Sequence, residues 1–134
     1  MQQQQAQGKL RYKETTKIMR KAVKKWRDEQ IAAHPYCYVT GSTELLEVHH
    51  AGLSFNQIFR QAHINLNIEY HKYIFDYTYD ESAALKAEII KLHNEVDAIV
   101  LTHDVHCELH TIYGTEVSRQ QIEQYKKNFN LIHK

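Results

Sequence analysis

The adjacent pair His49-His50 and the spaced pair His106-x-x-x-His110 constrain this chain more than any other feature. The first pair ends the run Leu45-Leu46-Glu47-Val48-His49-His50. Apolar and polar residues alternate there and Val48 is β-branched, a pattern that predicts a short strand. The second pair lies in an apolar-periodic stretch closed by Gly114, which predicts a short helix. Residues four apart share a helix face, so His106 and His110 can address one target. Two imidazoles from a helix and one from a strand make a metal-site arrangement, with a neighbouring imidazole left over for proton transfer. Such a site requires a fold that brings two segments distant in sequence to one point.

A chain of 134 residues with 43% hydrophobic content suits one domain with a modest core. No apolar run approaches the length of a membrane span. The Gln-rich start lacks the basic-then-apolar order of a secretory signal. Two cysteines, Cys37 and Cys107, do not make a disulfide framework, so a reducing, cytoplasmic setting is expected. The net charge of +1 conceals an asymmetry. Between Lys9 and Asp28 there are nine basic and two acidic residues, while the remainder holds eight basic and fourteen acidic ones. A concentrated basic segment on a near-neutral chain is an electrostatic footprint for a polyanion, although a solvated helix face has the same composition.

Along the chain, residues 1–12 read as a flexible N-terminus and 13–134 as a single domain, mostly helical α+β. A basic helix is expected over 13–33. Ile18, Met19, Ala22, Val23 and Trp26 form its apolar stripe, and Lys17, Arg20, Lys21, Lys24, Lys25 and Arg27 are available to phosphates. Pro35 ends it. Tyr36–Thr40, Gly41-Ser42-Thr43 and Leu45–His50 then read as strand, turn, strand. Cys37-x-x-Thr40 has the spacing of half a zinc knuckle but lacks the second cysteine, so no structural zinc is expected there. Ser54-x-x-Gln57 signals a helix over Phe55–Leu66 and another follows from Glu81 to Val96, both scaffold, with an ambiguous aromatic stretch between them. Ala98–Leu101 reads as a strand, and Thr102 as the N-cap of the helix bearing His106 and His110. Ser118-x-x-Gln121 opens a final helix over 118–129. The five histidines His34, His63, His71, His93 and His133 have no partner at an informative spacing.

The segments Val48-His49-His50 and Ile99-Val100-Leu101-Thr102-x-x-x-His106-x-x-x-His110 resemble the His-Asn-His (HNH) nucleases with a ββα-metal core. The metal half is similar in spacing to the colicin-type DNases, and the wider frame to small phage-encoded HNH endonucleases. In those, a Cys-x-x-Thr-Gly segment precedes Val-His-His, and a Leu-His-x-x-Tyr-Gly segment precedes a terminal Gln-rich helix. Here these are Cys37–Gly41, Leu109–Gly114 and Ser118–Phe129. The resemblance spans residues 20 to 130. It implies a ββα core over 36–50 and 97–113, a helical insertion over 51–96, and metal-dependent hydrolysis of DNA phosphodiester bonds to a 5′-phosphate and a 3′-hydroxyl. It also implies that His49, His106 and His110 bind one divalent ion (magnesium, manganese, nickel or zinc) and that His50 is the general base. That division suits a strand, which projects successive side chains to opposite faces and so keeps adjacent histidines off one ion.

Two departures stand out. The family's central Asn, which braces the loop bearing the base, falls by spacing on Asp97, and an ionised aspartate has no amide donor. Asn94 could substitute if the register slips. Some 47 residues separate His50 from Asp97 where compact relatives have a short loop. His103 could approach a metal or phosphate, although an exposed first-turn histidine is the plainer expectation. Besides the nuclease, the sequence admits a non-catalytic DNA-binding, packaging or regulatory protein that keeps the ββα scaffold, with a structural zinc if Cys107 or Glu108 supplies a fourth ligand. DNA is the expected partner, a homodimer or a phage packaging or host partner is compatible, and a phage-encoded chain would act in the host cytoplasm.

Overall fold

The computed structural model describes residues 13–133 as a mostly helical α+β protein, and the expected flexible stretch 1–12 lies outside them. Two compact units emerge, each assembled from separated pieces of the chain. No helix among the described residues is long and apolar enough to cross a membrane.

The first unit joins residues 13–24 to Phe55–Glu95. Helix α1 (Thr15–Lys21) packs on α3 (Phe55–Leu66), which packs on α4 (Tyr79–His93). Met19, Ile58, Ala62, Leu85 and Ile89 are buried, and each of the larger side chains contributes about 1.5–3 kcal/mol. The Thr15 N–H donates to the Lys72 carbonyl at 2.8 Å and the Ile74 N–H to Lys13 at 3.0 Å, tying the aromatic stretch to α1. That stretch is irregular apart from one 3₁₀ turn, Ile74–Asp76. His63 and His93 are buried structural residues: the Nδ1–H of His63 donates to Phe59, and that of His93 to Ile89.

The second unit joins Lys25–Ser54 to residues 96–133. Helix α2 (Lys24–Ala33) leads to a turn, then β1 (Leu46–Ala51), β2 (Asp97–Thr102), α5 (His103–Tyr113) and α6 (Arg119–Ile132). The strands pair antiparallel, with His49 opposite Ile99 and Ala51 opposite Asp97. The core gathers Cys37, Val39, Ala51, Ile99, Leu101, Val105, Leu109, Val117 and Ile122. Neither cysteine is in a disulfide: Cys37 is buried and Cys107 exposed.

Three expectations need correction. The helix over 13–33 breaks at Ala22–Val23, where the amides bond three residues back, to Met19 and Arg20. Met19, Val23 and Trp26 are all buried, and the first two belong to the first unit while Trp26 belongs to the second. Tyr36–Thr40 is not a strand. The Gly41 N–H closes onto Cys37 at 2.8 Å with Gly41 at φ +76°, a conformation that suits glycine, and Tyr38 donates to the Val100 carbonyl at 2.8 Å. The strand partner of β1 is therefore β2, not a hairpin neighbour. Helix α4 begins at Tyr79 because Thr78 and Glu81 form a capping box, and it closes at Asn94, leaving Val96 outside it.

Candidate metal centre

Strand alternation places Glu47, His49 and Ala51 on one face of β1, and α5 lies over that face. Helix α5 starts where β2 ends, because the Thr102 side chain accepts from the Val105 amide as an N-cap. His106 and His110, one turn apart, then face His49. His49 is 3% exposed, whereas His106 and His110 are half-buried at the mouth. His49, His106 and His110 form a group able to hold a metal ion, with ligand atoms all within 4.8 Å of one another. His49 Nδ1 lies 3.2 Å from His106 Nε2, which lies 3.1 Å from His110 Nε2.

The protons of this group can be assigned. His49 Nε2 is 2.7 Å from the Val117 carbonyl, His110 Nδ1 is 2.8 Å from the Gly114 carbonyl, and His106 Nδ1 is 2.9 Å from the Glu47 carboxylate. All three partners only accept, so each of those outer nitrogens carries the proton, and each inner nitrogen of a neutral ring presents a lone pair. Where the rings are neutral, three lone pairs face one another within 4.8 Å, and a cation relieves their repulsion. The outer bonds are the kind that fix the tautomer and orientation of metal-ligating histidines.

Burial and hydrogen bonding set the ionisation of His49 and Glu47. The pKa of His49 is pushed down to about 4, foremost by burial, with the Val117 carbonyl opposing and the other two imidazoles adding to the depression. For Glu47, burial favours the neutral acid, but the bonds from His106 and His103 outweigh it and hold the carboxyl below its usual range. His103, exposed, donates to the other Glu47 oxygen at 2.9 Å, which raises its pKa, and it stays outside the group.

The other expected site residues are dispersed. His50, half-buried, points away from His49 and packs its ring 5.0 Å from that of Trp26. Asp97 opens β2 and receives two bonds from Arg119 of α6, at 2.6 and 2.7 Å, which hold its carboxyl below the usual range. Asn94 caps α4 in the first unit. Neither candidate fourth ligand joins the group: the Cys107 sulfur faces His103, and Glu108 accepts from the Tyr125 hydroxyl at 2.8 Å. Among the described residues three groups could ligate an ion, and two of them, His106 and His110, are half-buried. The basic residues are all exposed, with Lys17, Arg20, Lys21 and Lys24 in the first unit and Lys25 and Arg27 in the second. Arg20 stacks on Phe55 at 4.7 Å, Lys17 pairs with Glu14, and Lys25 pairs with Glu29.

Glu47, Val117 and Gly114 were not singled out from the sequence. For Glu47 a signal existed, since it lies two residues before His49 on the same strand face. The two carbonyls had none, because they are backbone groups placed by tertiary structure. Comparisons with protein-family models, curated proteins and solved structures find no match.

Proposed function

We propose that this chain is a metal-dependent DNA endonuclease of the HNH type, with His49, His106 and His110 holding one divalent ion and His50 acting as general base. The observation that carries the reading is the convergent, tautomer-fixed imidazole triad, joined by no fourth His, Cys, Asp or Glu among the described residues and built on a strand–strand–helix frame. Catalytic ions keep an exchangeable position, whereas structural zinc is closed by four protein ligands. Neutral imidazoles suit zinc or nickel better than magnesium. The N···N separations also approach the edge of about 3.3 Å that zinc–nitrogen bonds of 2.0–2.1 Å give a tetrahedron. When bound, the ion would supply Lewis-acid stabilisation of charge on the phosphate and the departing oxygen. His50 would take the proton of the attacking water, with Trp26 limiting its ring rotation. The exposed Lys17, Arg20, Lys21, Lys24, Lys25 and Arg27 would bind phosphates, with an affinity that falls steeply as salt rises.

One observation favours a second reading, a non-catalytic DNA-binding, packaging or regulatory protein: the Asp97 carboxylate is engaged by Arg119 instead of offering the amide of the family's central Asn. Supercoiled plasmid incubated with Zn²⁺, Ni²⁺, Mn²⁺ or Mg²⁺, with and without chelator, separates the two. Nicking or linearisation is expected, abolished by chelator and by His50→Ala, while His50→Ala still binds metal. Intact plasmid in every metal overturns the enzyme reading, and full cutting by His50→Ala overturns the base assignment.

A further inference from the structure

The ion pair of Asp97 and Arg119 lies outside the imidazole triad, yet each residue is rooted beside a group that holds His49. Asp97 opens β2 and pairs with Ala51, which is two residues beyond His49 on the same face of β1. Arg119 opens α6, two residues after Val117, whose carbonyl is 2.7 Å from His49 Nε2. Arg119 Nε donates to Asp97 Oδ2 at 2.6 Å and Nη2 to Oδ1 at 2.7 Å, the planar fork that suits a carboxylate. These links close a circuit: His49 to Ala51 along β1, across to Asp97, through Arg119 into α6, and back by Val117. Exposed ion pairs are worth little singly, but fork geometry and a network are the exceptions. Arg119 also lies 3.6 Å from Glu123, which accepts from the Tyr38 hydroxyl, and 5.7 Å from the Tyr38 ring. The Tyr38 amide is bonded in turn to Val100 of β2.

The Val117 carbonyl needs such a support. Residues 114–118 have no regular structure, and although the Val117 side chain is buried, its carbonyl turns with the peptide that leads into Ser118. The bond also decides which nitrogen of the neutral His49 ring is protonated. With the proton on Nε2, donated to Val117, Nδ1 is free for an ion. With the proton on Nδ1, the ring instead donates to His106 Nε2, 3.2 Å away, and neither nitrogen then offers a lone pair to a metal. We propose that Asp97 and Arg119 are positioning residues for the metal centre: their pair aims the Val117 carbonyl at His49 and so selects the tautomer that can bind an ion. This role rests on the reading of the triad as a metal centre, and it asks of Asp97 neither ligation nor proton transfer.

Ring-nitrogen NMR of the isotope-labelled, metal-free whole chain at neutral pH tests this without any nuclease activity. Zinc affinity, read by competition with a chelating dye, is measured on the same samples. In the wild type the His49 proton is expected on Nε2. In Arg119→Gln and in Asp97→Asn a sizeable share is expected to move to Nδ1. Zinc affinity should fall with it by roughly three- to tenfold, less than for loss of a group bonded directly to a ligand. The double variant is expected to bind no more weakly than either single one, because the two residues act as a unit. Arg119→Lys keeps the charge but loses the fork, so an intermediate effect is expected, and it serves where Arg119→Gln does not fold. Circular dichroism of each variant checks folding. A lower melting temperature, with the His49 proton still on Nε2 and zinc affinity unchanged, overturns the positioning role and leaves an ordinary structural pair. A wild type that binds no zinc overturns the metal-centre reading and the role with it, whereas a zinc-binding wild type with unresponsive variants overturns the role alone.

Discussion

His49 joins three roles in one side chain: it fills the core beside Ile99, presents Nδ1 to the centre, and ties β1 to Val117 through Nε2. Those roles agree only while the ring is neutral, because a protonated His49 would put a buried positive charge against two further imidazoles. Its folded pKa of about 4 lies below the 6.5 of an exposed histidine, so the unfolded chain binds this proton more tightly than the folded one. The contribution is complete above about pH 6.5, declines as the unfolded state protonates, and is lost by about pH 4. At 1.36 kcal/mol per pKa unit it is worth at most about 3 kcal/mol. Metal-free protein is therefore expected to lose denaturant stability between pH 7 and pH 4.5, and His49→Gln to lose less over the same interval. Equal losses in both proteins would remove His49 as the cause.

At the scale of elements, α6 fastens the centre from outside. Its N-cap, Ser118, forms a capping box with Gln121 and directly follows Val117, whose carbonyl orients His49. Ser118→Ala is expected to lower stability by about 1 kcal/mol. Loosening of the Val117 carbonyl should also weaken zinc binding, by less than about tenfold because the carbonyl itself remains. Calorimetry on apo and loaded protein reads both effects, and a stability loss with unchanged zinc affinity would detach α6 from the centre. Local chemistry of this sort was legible in advance. The Ser118 box, the Thr102 cap and the alternation of Leu46–His50 all operate within a few residues, and each stands where the pattern puts it. What was not legible depends on distant partners. Tyr36–Thr40 has strand-like composition, but Gly41 folds it back and Val100 takes the Tyr38 amide, so it becomes a turn against β2. The apolar stripe from Ile18 to Trp26 has unbroken helical spacing, yet the helix breaks at Ala22–Val23 and Met19 and Trp26 belong to different units, which periodicity does not encode. The bonding of Asp97 to Arg119 was not legible either, because the two stand 22 residues apart on different elements.

At the scale of the molecule, the two units interleave along the chain, so the imidazoles of the candidate centre lie on either side of Phe55–Glu95. Joining β1 to β2 across so long a segment carries a closure entropy that grows only logarithmically, about 0.6 kcal/mol per doubling of length. The segment also has its own buried Leu85 and Ile89, so it is a folded insert and not a slack loop. The two-stranded sheet is small, and a pair of strands is marginal without further packing. An ion held by His49 of β1 and by His106 and His110 of α5 would cross-link the two ends of the insert, a constraint absent from the unfolded chain. Trp26, the single tryptophan, lies in the same unit beside His50 and reports on it. Zinc or nickel at about 100 times its dissociation constant is expected to raise the stability read by tryptophan fluorescence by about 2.7 kcal/mol. Chelator should reverse the gain and His106→Ala should remove most of it. Equal stabilisation of wild type and His106→Ala would show that the ion binds elsewhere, and that the convergent imidazoles do not cross-link this fold.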